Sequence, residues 1–124
     1  MQEAAIIIPH YNDTVRLGKC LAVLVPQLVS VVDLVIVDND STDSLDAIRR
    51  TYPSLRIVIK SQQGAAHARN WGMSETTAPR LFFLDCDCVP ASDWLATALR
   101  IADTADIIGG NITVFDETDR KSVV

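Results

Sequence analysis

Apolar residues in this chain fall into four short runs, each leading into a polar loop and then into a stretch of helical spacing. The runs are Ala4 to Ile8, Leu34 to Val37, Leu55 to Ile59 and Leu81 to Leu84. Short runs of this kind, rich in Ile, Val and Leu, read as buried strands of a parallel sheet. After the first run, Leu17, Leu21, Leu24 and Leu28 recur at helical spacing. They predict a helix capped by Asp13 or Thr14 that ends or kinks near Val25, because Pro26 breaks the pattern. A second helix is expected from Ser44 to Thr51, with Leu45 and Ile48 inward and Pro53 as its stop. A third runs from Gly64 to Glu75, and a fourth opens at Pro90 or Ser92 and reaches Ala102. Ile107 and Ile108 start a further strand or edge segment that Gly109 and Gly110 break.

Strand and helix alternate throughout, with short loops. That predicts an α/β fold with a Rossmann-like, mostly parallel sheet and helices on both faces. Right-handed crossovers place the loops after strands one, two and four along one edge. No repeat, linker or low-complexity segment interrupts residues 1–124, which read as a single domain.

The fourth run passes directly into Asp85, Cys86, Asp87 and Cys88. Ligand sites in open α/β sheets lie just beyond the carboxyl ends of the strands. In an extended chain, i and i+2 side chains share a face, so Asp85 and Asp87 converge while Cys86 faces away. Paired carboxylates suit Mn²⁺ or Mg²⁺, ions that also bind phosphate oxygens. The plain alternative is a solvated turn after a strand. Asp38 to Asp43 forms a second acid-rich loop, in which Asp38 and Asp43 also fit as helix caps. His10 and His67 read as loop or surface residues, Trp94 as core, and Cys20 as a small buried hydrophobe.

The chain has 124 residues, 48% of them hydrophobic, and a net charge of -5 from 11 basic and 16 acidic residues. No basic run or aromatic-basic stripe is present, so nucleic acid is not an expected partner. An acidic protein that holds phosphate needs local positive charge, which a metal on Asp85 and Asp87 would supply. The three cysteines read as reduced thiols of a cytosolic protein. A zinc set of Cys86, Cys88 and one histidine lacks the second paired spacing such sites carry. Met1-Gln2-Glu3 has no basic leader character, and no apolar run approaches the about 18 residues of a membrane span. The expected location is cytoplasmic, with peripheral attachment at the inner face of a membrane left open.

Neither G-x-x-x-x-G-K-[ST] nor a G-x-G-x-x-G after strand one is present, which disfavours P-loop and dinucleotide sites. Five blocks instead follow one another in order: Ile6-Ile7-Ile8-Pro9-His10-Tyr11-Asn12, Ile36-Val37-Asp38-Asn39-Asp40-Ser41-Thr42-Asp43, Gly64-Ala65-Ala66-His67-Ala68-Arg69-Asn70-Trp71-Gly72, Phe83-Leu84-Asp85-Cys86-Asp87-Cys88-Val89-Pro90 and Trp94-Leu95. Together they resemble family 2 glycosyltransferases of the GT-A fold, in their nucleotide-binding half. The resemblance implies transfer of a sugar from a nucleotide-diphosphate donor to an acceptor hydroxyl, the acceptor being a saccharide or lipid-linked saccharide. It implies donor contacts from Pro9, Tyr11, Asp38, Asn39, Arg69 and Asp85, and Mn²⁺ or Mg²⁺ on Asp87 and Asp85. Where such enzymes commonly carry Asp-Asp-Gly-Ser, this chain has Asp38-Asn39-Asp40-Ser41, which leaves the base preference open. The general base of inverting members belongs to a later half of the domain, and Val124 lies about 37 residues past Asp87. The chain therefore reads as truncated before its acceptor half, with the base unassigned among Asp116, Glu117 and Asp119. Apolar surface left where that half would pack points to self-association. Two other readings are a nucleotidyltransferase, which the loop Pro9 to Asp13 disfavours for want of Gly and Lys, and a non-catalytic nucleotide-sugar-binding module.

Overall fold

The computed structural model describes residues 2–61, 64–104, 113–115 and 121–123. In chain order the elements are β1 (Ala4–His10), α1 (Thr14–Leu24), a 3₁₀ turn (Val25–Gln27), β2 (Val32–Asp38), α2 (Asp46–Thr51), β3 (Arg56–Ile59), α3 (Ala65–Ser74), β4 (Arg80–Phe83), α4 (Trp94–Ile101), β5 (Thr113–Phe115) and β6 (Lys121–Val123). The first four strands form one sheet in the order β3-β2-β1-β4, all parallel. β5 and β6 pair antiparallel in a separate ribbon. The expected segment at Ile107 to Gly110 lies outside the described residues, as do Asp116, Glu117 and Asp119.

β1 is the central strand, and all seven of its residues are buried. Its alternate side chains enter two cores. Ile6 and Ile8 pack with Leu34, Ile36 and the inward face of α1, formed by Leu17, Cys20, Leu21 and Leu24, together with Ile48 of α2 and Leu95 of α4. Ile7 enters the other core with Val35, Val37 and Ala68 of α3. Helices therefore cover both faces, as the alternation of runs predicts. Each fully buried Ile of β1 contributes roughly 1.5–3 kcal/mol of apolar transfer.

β1 also holds Pro9, an uncommon residue in a paired strand. Parallel pairing makes it tolerable. The Ile7 carbonyl accepts the Leu84 amide at 3.2 Å, on the β4 side. Pro9 lies two residues on and turns its missing N–H to that same side, past the last β1–β4 pair, Ile7↔Phe83. The ladder ends there, and the sheet opens between β1 and β4.

The fourth strand departs from its reading as a buried strand. Among the described residues β4 pairs only with β1, so it is the edge of the described sheet, and Phe83 is 43% exposed. The i-and-i+2 register of a buried run does not distinguish a central strand from an edge one. Helix starts also shift inward from the expected positions. α2 begins at Asp46 rather than Ser44, whose hydroxyl instead accepts the Asp46 amide at 3.1 Å. α4 begins at Trp94, and Trp94 packs edge-to-face on Phe82 with centroids 6.0 Å apart. Asp13 sits at the N-cap of α1 without a side-chain cap bond. As expected, Pro26 ends α1 and tightens the chain into the 3₁₀ turn. Gln27 in that turn donates to the Ala91 carbonyl at 2.8 Å and accepts the Leu95 amide at 2.9 Å, tying the start of α4 to the end of α1.

α3 lies close on β1 because Gly72 has no side chain. A Cβ there would overlap Cγ2 of Ile7, which is fully buried and has no room to retreat. Gly72→Ala is expected to destabilise the protein by about 1–3 kcal/mol, the usual scale of overpacking. Urea unfolding measures it, and an unchanged midpoint would contradict the close approach.

Candidate functional site

The carboxyl ends of β1 and β2 are joined by a buried polar network. His10, the last residue of β1, donates from Nδ1 to Asp38 Oδ1 at 2.8 Å, and both residues are 2% exposed. The Asp13 amide donates to Nε2 of the same ring at 3.0 Å, so Nδ1 carries the proton. Ser41 donates its hydroxyl to Asp38 Oδ1 at 2.6 Å and its amide to Oδ2 at 2.9 Å. Burial pushes the Asp38 carboxyl up, but the two bonds from Ser41 and the one from His10 outweigh it and hold the group below the ordinary carboxylate value.

The same network zips two loops together. Ser41 Oγ accepts the Asn12 amide at 2.9 Å, and Asn12 Oδ1 accepts the Asp43 amide at 3.0 Å. Asn12 and Asp40 both adopt left-handed backbone, with φ of 47° and 61°, which short polar side chains tolerate. His10 is therefore a buried connector and not the loop or surface residue expected. It stands at the end of the central strand beneath two loops, and only a sliver of it reaches the surface.

Asp85 to Cys88 form a tight turn beyond β4, closed by the Cys88 amide on the Asp85 carbonyl at 3.0 Å. The two aspartates do come together, but through this turn and not through extended alternation. Asp85, Asp87 and Cys88 present donor atoms within 4.8 Å of one another, a set able to hold a divalent ion. Cys86 and Cys88 both pack against the α1 core, and no histidine joins the set among the described residues. Arg69 of α3 reaches Asp85 Oδ1 at 3.2 Å, an exposed pair that adds little to stability. Gly64, with φ 114°, turns the chain into α3 in a backbone region open only to glycine.

These parts surround one cleft of about 460 Å³. Pro9, Tyr11, Asn39, Arg69, Asp85 and Asp87 all line it, so six of the seven donor and metal residues expected from the sequence meet there. Asp38 does not line it; its oxygens are turned to His10 and Ser41. Asn39 is 5% exposed, and its Oδ1 has no hydrogen-bond partner among the described residues. Tyr11 is 46% exposed and offers an open ring face. A second cleft of about 510 Å³ lies between α1 and α4, among Ala22, Pro26 and Ala96, away from this chemistry.

Cys20 of α1 lies close to Cys86 and Cys88 of the turn, which sequence spacing does not show. Burial pushes the Cys20 thiol up to about 12, with the other two thiols and Asp87 adding to it. Burial likewise pushes Cys86 to about 11, helped by Asp13, Asp87 and Asp85. These two are protonated packing groups and not nucleophiles. The residues that sequence reasoning passed over in this network are Ser41 and Asn12, while His10 reads from the sequence as a loop or surface residue. The available signal was polar side chains at the carboxyl ends of two predicted neighbouring strands.

Asp38 tests the network by pH. Its carboxyl is lower in the folded chain than the about 3.9 of an unfolded one, so its ionisation stabilises the fold above that value. That contribution is lost as pH falls through the folded value. Ser41→Ala raises the folded value and narrows the gap. We expect about 1.5–3 kcal/mol lower stability at neutral pH and a shallower loss on acidification than in the unmodified chain. Urea unfolding through the carboxylate range measures both, and parallel pH profiles would contradict the network.

The sequence matches the family model of Glycosyl transferase family 2 over residues 5–123. Glycosyltransferase AglE of Haloferax volcanii is 37% identical over 117 residues, covering 87% of this chain and 38% of AglE. Glycosyltransferase GlyA of Streptococcus pneumoniae is 29% identical, covering 92% of this chain and 17% of GlyA. This chain thus spans well under half the length of either relative. Among solved structures, a mannosyltransferase from Pyrobaculum calidifontis in complex with GDP-Man and Mn²⁺ superposes with TM-score 0.69 at 29% identity, over 82% of this chain and 32% of that one. S. aureus TarS 1-349 gives TM-score 0.71 at 22% identity, over 84% of this chain and 33% of that one, a likeness of fold. Sequence blocks, sheet order and the matched span agree, and the chain belongs to Glycosyl transferase family 2.

Proposed function

We propose that this chain is the donor-binding part of a glycosyltransferase that moves a sugar from a nucleoside-diphosphate donor to an acceptor hydroxyl with a divalent ion. The observation that carries this is the meeting of Asp85, Asp87 and Arg69 with Pro9, Tyr11 and Asn39 around one cleft. Asp87 and Asp85 hold Mn²⁺ or Mg²⁺. Once bound, the ion acts as a Lewis acid on the diphosphate, whose charge grows as the glycosyl bond breaks. Arg69 is the one Lys or Arg lining the cleft among the described residues, against acids at Asp13, Asp85 and Asp87. A diphosphate entering such an acidic cleft needs the metal charge as well as Arg69.

Pro9 and Tyr11 form the wall for the nucleobase, with the exposed Tyr11 ring as a stacking surface. The unpaired Asn39 Oδ1 accepts a donor group of the base or ribose. Asp38 supports this wall from behind through His10 and Ser41 rather than touching the nucleotide. The acceptor, a saccharide or lipid-linked saccharide, and the general base belong to sequence beyond the described site. Family membership and the loop without Gly or Lys both count against nucleotidyl transfer.

Two substitutions test the reading. Asp87→Ala should abolish Mn²⁺-dependent binding of UDP or GDP while leaving the unfolding midpoint nearly unchanged, since the residue is exposed on a turn. Arg69→Ala should weaken the metal-bound complex by on the order of tenfold, the worth of one charge-assisted hydrogen bond. Calorimetric titration measures both. Full nucleotide affinity in Asp87→Ala with Mn²⁺ present removes the acid turn from the donor site.

A further inference from the structure

Three bonds leave His10, and they serve different parts of the cleft. Its carbonyl accepts the Asn39 amide at 2.9 Å. Its ring Nδ1 donates to Asp38 at 2.8 Å, and its ring Nε2 accepts the Asp13 amide at 3.0 Å. The last bond closes a short loop, with Tyr11 and Asn12 between the ring and the amide it holds. Asn12 has left-handed backbone there, φ 47°, and its own amide is fixed by Ser41 Oγ at 2.9 Å. Tyr11 is 46% exposed, so packing holds its ring only in part and the closure of the loop decides where it stands.

We propose that His10 is a positioning residue for the nucleobase: its Nε2 holds Tyr11 at the cleft, while its carbonyl holds Asn39 independently of the ring. This deepens the donor-site reading and rests on it in taking Tyr11 as the wall for the base. His10 borders the cleft yet is 2% exposed, so it acts through its neighbours and not by touching the ligand. Nε2 accepts a hydrogen bond only in the neutral ring with its proton on Nδ1, and Asp38 secures that form by accepting the proton's hydrogen bond. A ring that served only to satisfy the Asp38 carboxylate would matter through Nδ1 alone. The two roles separate because asparagine and glutamine each reproduce one ring nitrogen. An asparagine amide reaches the place of Nδ1 and keeps a donor for Asp38. A glutamine amide reaches the place of Nε2 and keeps an acceptor for the Asp13 amide.

Calorimetric titration of the full chain carrying His10→Asn or His10→Gln tests it, with circular dichroism reporting the fold of each variant. His10→Asn should weaken UDP and GDP binding with Mn²⁺ roughly tenfold, within the range for a base stacked on an aromatic side chain. His10→Gln should keep most of that affinity. A purely structural ring predicts the reverse order, since His10→Gln is the variant that strips Asp38 of its imidazole bond. Inorganic pyrophosphate with Mn²⁺ reports the acid turn and Arg69 without a base, and it should bind both variants as it binds the unmodified chain. Tyr11→Ala should add nothing to the loss in His10→Asn, while Asn39→Ala should weaken binding by the same factor in either background. The unmodified chain supplies a measurement that needs no variant: in nitrogen-15 NMR with Mg²⁺, the His10 ring signals should move on adding UDP and stay in place on adding pyrophosphate. Full nucleotide affinity in a folded His10→Asn, equal losses in the two variants, an undiminished Tyr11→Ala effect beside His10→Asn, a parallel loss of pyrophosphate, or ring signals indifferent to UDP overturns the proposal. The donor-site reading is scored on the unmodified chain: no nucleotide binding there fails that reading and this inference with it, whereas each outcome just named fails the inference alone.

Discussion

The buried carboxylate of Asp38 is the constraint on which the site's geometry depends. Withdrawing a carboxylate from water carries a penalty of several kcal/mol unless hydrogen bonds replace its hydration. Three bonds do so here, one from His10 and two from Ser41. They come from two pieces of chain: the end of β1, and the loop after β2, which gives both a backbone amide and a hydroxyl. Satisfying one charge therefore sets the relation between two strand ends and two loops. Tyr11 and Asn39, the residues next to His10 and Asp38, inherit their positions in the cleft from it.

The other wall follows from how the sheet ends. β1 continues pairing with β2 to His10↔Asp38, while its pairing with β4 stops at Ile7↔Phe83. Pro9 has no amide to extend the second ladder, so the chain after β4 is free to turn away. That turn carries Asp85 and Asp87 to the cleft and leaves them exposed, while Leu84 just before it stays buried as an anchor. One strand is thus paired to different depths on its two sides, and the difference is the mouth of the site.

Charge completes the picture. The cleft is rimmed by aspartates in a chain of net charge -5, with one guanidinium, Arg69, opposite among the described residues. Such a surface repels a diphosphate on its own and attracts divalent cations. Arg69 and Asp85 form an exposed pair whose partners both remain available, since an exposed ion pair is exchanged for other contacts at little cost. On the function proposed above, the site takes a cation first or a cation with its phosphate ligand, and borrows the sign of charge that the fold lacks.

Much of this was readable from the amino-acid order. Period-2 and period-3.6 patterns are local, so the four strands, the helices between them and the acid turn after Leu84 could be placed from the sequence, and five ordered blocks carried the family. Whether a strand is central or at an edge depends on its neighbours, so the exposure of Phe83 was not readable. Nor was the partnership of His10 and Asp38, 28 residues apart, or the gathering of Cys20, Cys86 and Cys88. A side chain's role as ligand, support or filler is decided by what lies across from it in space. The sequence by itself determined which residues stand at the carboxyl ends of the strands; only the tertiary structure decided that Asp38 faces inward to His10 while Asp85, Asp87 and Cys88 face a common point, because those outcomes depend on contacts between segments that no local pattern encodes.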